Sequence, residues 1–160
     1  MTHVARERIY VAVIIALLLV ALAMAYKFII AGSTTTSSDG RTAIVLQAGE
    51  RDFILREMRG FLAGVQRIEE SLSRDDMRGV ATASRAVGTP KTNDVPVAIL
   101  GKLPLQFKTL AFGVHGDFDA IAAEAERGAS PKATLGQLSG VLRKCNECHE
   151  RYRFTDATPK

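Results

Sequence analysis

The stretch of this sequence with the most chemical potential is CNECHERYR, residues 145–153. It contains both cysteines of the chain, Cys145 and Cys148, and one of its three histidines, His149. The C-x-x-C-H spacing is the pattern of covalent c-type haem attachment, but it also fits a thiol redox pair or half of a zinc site. The elements that position these residues must therefore decide between the three chemistries.

An apolar segment near the N-terminus is the first of these elements. No charged residue lies within residues 9–26, and apolar residues resume after Lys27. At about 1.5 Å per residue, such a helix is long enough to cross a bilayer core of about 30 Å. Arg6 and Arg8 precede it, which favours a cytoplasmic N-terminus. Residues 1–31 are therefore predicted to be a single membrane anchor.

A cleaved signal peptide is the alternative interpretation of the same segment, because residues 21–25 are small enough for a processing site. Both interpretations export the C-terminal part. We expect a single-pass protein of a bacterial inner membrane, with its folded domain in the periplasm. The net charge of +4 includes no dense basic run, so nucleic acid is not an expected partner.

The remainder of the chain divides by composition. Residues 32–40 are small and polar, which predicts a flexible tether, and residues 42–46 are β-branched and apolar, which favours an extended lead-in. We assign residues 32–47 to this tether and lead-in, 48–154 to a folded domain and 155–160 to a tail.

The folded domain has four segments in which apolar residues recur at alternating spacings of three and four, as on one face of a helix. Ser73 is a plausible N-cap for the second helix, and Ser130 followed by Pro131 is a strong start for the fourth. No strand alternation is evident. The predicted fold is all-α: an antiparallel four-helix bundle preceded by one transmembrane helix. The four predicted faces are Ile54, Met58, Phe61, Val65, Ile68 and Leu72; Met77, Val80, Ala81, Ser84 and Val87; Leu103, Phe107, Leu110, Val114, Phe118, Ile121 and Ala125; and Leu135, Leu138, Leu142, Cys145, His149 and Tyr152.

The C-x-x-C-H motif falls on the last of these helices. Cys145, Cys148, His149 and Tyr152 share one helix face, so two thiols could bond to haem while the imidazole ligates the iron. A redox thiol pair belongs at a strand-to-helix turn, and structural zinc needs a second pair of ligands. A disulfide within one helical turn would be strained. One covalently bound haem is therefore the expected cofactor.

Residues 48–154 resemble the cytochrome c-prime superfamily, which includes the soluble four-helix b-type cytochrome. The most specific part of the match is the continuation CHERYR at residues 148–153, and a second is the run MRGFLAGVQRI at residues 58–68. The membrane segment and tether have no counterpart in the usual soluble members. The resemblance also implies a possible homodimer, since members often pair through their first two helices.

The resemblance gives Met58 a role. In six-coordinate members a first-helix methionine is the second axial ligand, and Met58 occupies that position. With His149 and Met58 both on the iron, no vacant site remains, which suits electron transfer. If Met58 only packs in the core, a five-coordinate iron could take NO or CO, as in c-prime proteins. Tyr152 could cover the ligating histidine, and Arg153 could pair with the haem propionates.

We therefore expect a membrane-tethered c-type cytochrome that passes single electrons between redox partner proteins at the membrane surface. It is expected to be a carrier and not an enzyme, because the sequence shows no acid, base and nucleophile constellation. A five-coordinate gas binder and a haem subunit of a larger membrane complex are the alternatives.

Overall fold

The computed structural model describes residues 3–89 and 95–157. Over these ranges the chain is mostly helical, as predicted, and it also contains a small three-stranded sheet. The helices are α1 (His3–Ala25), which continues as a π-helix (Tyr26–Ala31), α2 (Ala48–Leu72), α3 (Met77–Arg85), α4 (Val97–Leu100), α5 (Leu105–Glu126) and α6 (Pro131–Arg151); the strands are β1 (Thr34–Thr36), β2 (Thr42–Leu46) and β3 (Tyr152–Asp156).

The N-terminal helix contains an apolar stretch that is exposed on the protein surface. Residues 6–31 are long and apolar enough to cross a membrane, judged by length and composition, and none of their most apolar stretch is buried in the protein. A signal sequence has the same properties, so both interpretations of this segment stand. The helix ends at Gly32, whose φ of 66° a residue with a side chain rarely adopts.

The sheet corrects the all-α prediction. Strand β1 pairs antiparallel with β2, and β2 pairs parallel with β3, with Thr42 opposite Tyr152 and Leu46 opposite Asp156. The pairing joins residues 42–46 to residues 152–156, which are more than a hundred positions away. Sequence periodicity reports only local neighbours, and strands of three and five residues are too short to show alternation.

Capping explains where the helices begin. The backbone N–H of Gln47 donates to Glu50 at 2.8 Å, which closes the first turn of α2. Ser130 caps α6 as predicted, because its hydroxyl accepts from the N–H of Ala133 at 3.2 Å. The cap of α3 is Asp76 and not Ser73: the Asp76 carboxylate accepts from the N–H of Gly79 at 2.9 Å. Asp76 directly precedes the helix, whereas Ser73 ends α2.

Two apolar clusters hold these elements together. The first, here called the helical core, is built from α2, α3, α5 and α6 alone; the second, the mixed core, joins β2 and β3 to α4 and to the first turns of α2 and α5. The helical core comprises Val65, Ile68, Leu72, Val80, Ala81, Ala83, Val114, Phe118, Ile121, Ala125, Leu138 and Val141. The mixed core comprises Ile44, Leu46, Ile54, Ile99, Leu103, Phe107 and Tyr152.

The predicted faces of α2 and α5 agree with this burial, but the face of α6 does not. Leu135 and Leu142, expected inside, are 51% and 42% exposed. Thr134 and Val141, one position earlier, are fully buried in their place. Both sets of positions fit the helical period and differ by a rotation of one residue, about 100° around the axis.

Candidate functional site

The C-x-x-C-H motif and Met58 lie around one cavity. Met58 comes from α2, and Cys145, Cys148 and His149 come from the last two turns of α6. The wall between them is the apolar face of α5. That wall consists of Phe107, Leu110, Ala111 and Val114, with Phe61 of α2 and Lys144 of α6 completing the lining. The structure therefore brings together the residues that the sequence analysis assigned to the two sides of one cofactor.

The two cysteines are free, half-buried thiols. Cys145 packs against the helical core and Cys148 against the mixed core, so the pair lies where the two clusters meet. Burial raises the pKa of both thiols, that of Cys148 to about 11. Redox-active and nucleophilic cysteines typically have a lowered pKa, whereas burial here favours the neutral thiol at both positions.

His149 lies at the exposed rim of the cavity, and its backbone is held from outside the helix. The carbonyl oxygen of His149 accepts from Nη1 of Arg41 at 3.1 Å, and that of Tyr152 accepts from the same atom at 3.5 Å. The last carbonyls of a helix have no partner within it. Arg41, from the hairpin between β1 and β2, therefore fixes the turn that carries His149.

Arg41 is itself held by Asp39. Its Nε and Nη2 donate to the Asp39 carboxylate at 2.9 and 2.7 Å. These hydrogen bonds from Arg41 hold the pKa of Asp39 far below its usual range. Neither residue was predicted from the sequence to support the site, because Arg41 is 108 positions from His149 and lies in the segment predicted to be tether and lead-in.

Tyr152 and Arg153 follow the motif in the chain and line a second cavity together with Met58. Tyr152 is buried, with its hydroxyl donating to Gln106 at 3.3 Å and its ring edge-on to Phe107 at 5.5 Å. Burial raises its pKa. Nη1 of Arg153 donates to the hydroxyl of Ser37 at 3.1 Å and lies 3.4 Å from Asp39. Arg153 is thus already engaged with the hairpin.

Met58 borders three adjoining cavities, which are small. Their volumes are about 60 Å³ beside the cysteines, about 190 Å³ beside Tyr152 and about 80 Å³ between α2, α4 and α5. Pockets for drug-sized ligands are about 300–1,000 Å³. The donor atoms present, two thiols, an imidazole and a thioether, fit a haem, but this closed conformation must widen to admit one.

A zinc site finds no support in the same geometry. Within residues 3–89 and 95–157, no group of three or more His, Cys, Asp or Glu side chains is arranged to hold a metal ion. Structural zinc normally has four protein ligands, and the C-x-x-C-H motif supplies at most three.

Comparisons with known proteins assign this chain to no group. No protein-family model, no curated protein and no solved structure matches it.

Proposed function

We propose that this protein is a membrane-anchored c-type cytochrome, with one haem bound to Cys145 and Cys148, that carries single electrons. The observation that carries the proposal is the cavity shared by Met58 and the C-x-x-C-H motif. Nothing in the local sequence of α2 requires its methionine to face the two cysteines of α6. Helices α2, α3, α5 and α6 would form the antiparallel four-helix bundle around it.

Each residue of the site has a distinct task in this proposal. Cys145 and Cys148 would hold the haem covalently, each thiol adding across one vinyl group with its hydrogen going to the neighbouring carbon, so the attachment would need no oxidant. His149 at the end of α6 would ligate the iron, and Met58 of α2 would offer its thioether as a further ligand. When bound, haem supplies a one-electron iron couple. Arg41 keeps the turn of His149 from fraying.

A five-coordinate haem protein that binds NO or CO is the second candidate. The observation in its favour is that Met58 packs against the mixed core like an ordinary apolar side chain. Methionine is a common filler of irregular core spaces. In that case the cavity beside Met58 would receive the diatomic ligand.

The location follows from the N-terminal helix. We propose that residues 6–31 remain uncleaved in a bacterial inner membrane, with the folded domain in the periplasm and redox proteins of the same membrane as partners. Arg6 and Arg8 precede the uncharged residues 9–26, which supports a cytoplasmic N-terminus. The exposure of the apolar side chains in this stretch supports insertion into lipid.

Covalent attachment is the part of the proposal that can be tested first. The full chain is expressed with a c-type haem maturation system and extracted with acidified acetone. We expect the haem to stay with the protein and to be lost entirely in a Cys145→Ala/Cys148→Ala variant. Leu142→Ala, an exposed position on the same helix, should retain the haem. Haem that the solvent removes from the unaltered protein would contradict covalent attachment.

A further inference from the structure

The N-terminal helix does not lead into a slack tether, because its last turns contact the folded domain. Nζ of Lys108, in the first turns of α5, donates to the carbonyl oxygens of Phe28 and Ile29 at 3.3 and 2.9 Å. The ring of Phe28 lies over Gly101, where an added Cβ would be 3.2 Å from it. The end of the membrane segment is therefore docked on the junction between α4 and α5.

Residues 32 and 33, which join the apolar helix to β1, are also in close contact with the folded domain. Gly32 is buried, and a side chain there would come within 2.5 Å of the carbonyl oxygen of Lys102. The N–H of Ser33 donates to that same oxygen at 2.7 Å, and Nζ of Lys27 donates to the carbonyl of Gly32 at 2.6 Å. The chain thus passes from the apolar helix into β1 with its backbone fixed at each step.

The charges bounding the apolar helix set the depth of this junction in a bilayer. The uncharged residues 9–26 span about 27 Å at 1.5 Å per residue, nearly the whole hydrocarbon core of about 30 Å. Lys27 then marks the level of the headgroups, and Phe28 and Ile29 follow directly. The domain surface that Phe28 and Ile29 contact must lie at that level as well.

That surface carries exposed apolar side chains. Val97 in α4 is 82% exposed, and Leu105 at the start of α5 is 42% exposed. Each lies four residues from Gly101, the residue under the Phe28 ring. Isolated exposed apolar residues are common on soluble proteins, but these two flank the point where the chain meets the membrane.

We propose that α4 and the first turn of α5 form a membrane-contacting face, in which Val97 and Leu105 enter the headgroup region of the bilayer that α1 spans. The occupant is the lipid surface, because the docked anchor brings it there. The inference rests on the uncleaved membrane span of the proposed function and is independent of the haem.

A fixed orientation of the candidate site follows. Ser33, next to the membrane exit, accepts from the N–H of Val45 on β2. Thr42 lies on the same strand, three residues before Val45, which is about 10 Å at 3.3 Å per residue. Tyr152 of β3 pairs with Thr42. A redox partner in the same membrane would therefore find the site at a constant distance from the point where the chain leaves the membrane. On a flexible tether this distance would vary.

Photo-crosslinking to lipid tests the inference. The full chain, with p-benzoylphenylalanine replacing one residue at a time, is placed in nanodiscs of phosphatidylcholine and phosphatidylglycerol at a ratio of three to one, and lipid adducts are counted by mass spectrometry. The test positions are Val97 and Leu105. Leu17, within the span, reports the membrane insertion of α1. The controls are Leu62 in α2 and Leu135 in the first turn of α6, both exposed.

We expect adducts at Leu17, Val97 and Leu105 to be several-fold more frequent than at Leu62 and Leu135. Adducts at Leu17, with Val97 and Leu105 no different from the two controls, would overturn the membrane-contacting face and leave the span intact. Background yield at Leu17 would overturn both the span and the face. Neither result bears on haem attachment, so the two proposals fail separately.

Discussion

The helical core and the mixed core differ in the elements that build them and in their relation to the cavities around Met58. In the helical core Ile68, Val80, Phe118, Ile121 and Val141 are each 0% exposed. The mixed core borders the three cavities around Met58. The candidate site lies where the two cores meet, with Cys145 against the helical core and Cys148 and Met58 against the mixed core.

The difference has a physical origin in the connections. Short turns join α2 to α3 and α5 to α6, so two of the helix pairs in the helical core are neighbours in sequence, and the two pairs meet through α3 and α5. The mixed core requires β2 to find β3 and α2 to face the end of α6, which are distant in the chain. We therefore expect stability to depend mainly on the helical core, and the properties of the site to depend on the mixed core and the hairpin.

The largest expected effect tests the first half of that division. Phe118→Ala should lower the free energy of unfolding by about 3–5 kcal/mol, because it opens a cavity among fully buried side chains. Urea unfolding of the full chain in detergent, followed by circular dichroism, measures it. Leu62→Ala, at a position 71% exposed, should change the value by less than about 0.5 kcal/mol. Similar losses of the free energy of unfolding in Phe118→Ala and Leu62→Ala would contradict the expectation that stability depends mainly on the helical core.

An intermediate effect is expected where the hairpin meets the site. Arg41→Gln should cost about 1 kcal/mol, because it removes charge-assisted hydrogen bonds at a partly exposed position. Its more specific consequence is faster amide hydrogen exchange at residues 149–152. Arg74→Gln, which breaks an exposed ion pair with Glu70, should leave that exchange unchanged. If the amides of residues 149–152 exchange equally fast in the two variants, Arg41 does not stabilise the turn that carries His149.

The smallest effect concerns pH and the start of α2. Both carboxylate oxygens of Glu50 accept from Nζ of Lys102 at 2.6 Å, and this hydrogen bond lowers the pKa of Glu50. Because the pKa of Glu50 is lower in the folded state than in the unfolded state, the carboxylate stabilises the fold at pH values above its unfolded-state pKa of about 4.3. This stabilisation is lost as the pH falls below that value. Glu50→Gln should therefore flatten the loss of stability between pH 5 and 3, by about 1 kcal/mol or less. The free energy of unfolding is measured with urea at pH values between 5 and 3. If it falls as steeply in Glu50→Gln as in the unaltered protein, the Glu50–Lys102 pair does not contribute to stability.

The sequence predicted more of the helical core than of the mixed core. The spacing of Val65, Ile68 and Leu72, and of Val114, Phe118 and Ile121, identified two buried faces correctly. Helical periodicity is a local property, and in α2 and α5 most of the large apolar side chains lie on the buried face. The same spacing placed Met58 and Phe107 inward, so the two helix walls of the candidate site were predictable.

The face of α6 and the sheet were not predictable by that route. On α6 two overlapping stripes, one with Leu135 and Leu142 and one with Thr134 and Val141, share Leu138 and fit the period equally well. Packing against α5 selects the second. The role of Arg41 depends on strand pairing between distant segments, for which the sequence offers no local signal.

Carbon monoxide binding tests most directly the claim that Met58 of α2 and His149 of α6 act on the same iron. The full chain, loaded with haem and reduced, is exposed to CO and followed by absorbance, alongside Met58→Ala and, as a matched control from the helical core, Met77→Ala. We predict slow and incomplete binding by the unaltered protein and by Met77→Ala, and rapid, complete binding by Met58→Ala. Rapid, complete binding by the unaltered protein, with no change in Met58→Ala, would contradict ligation by Met58 and favour the gas-binding alternative.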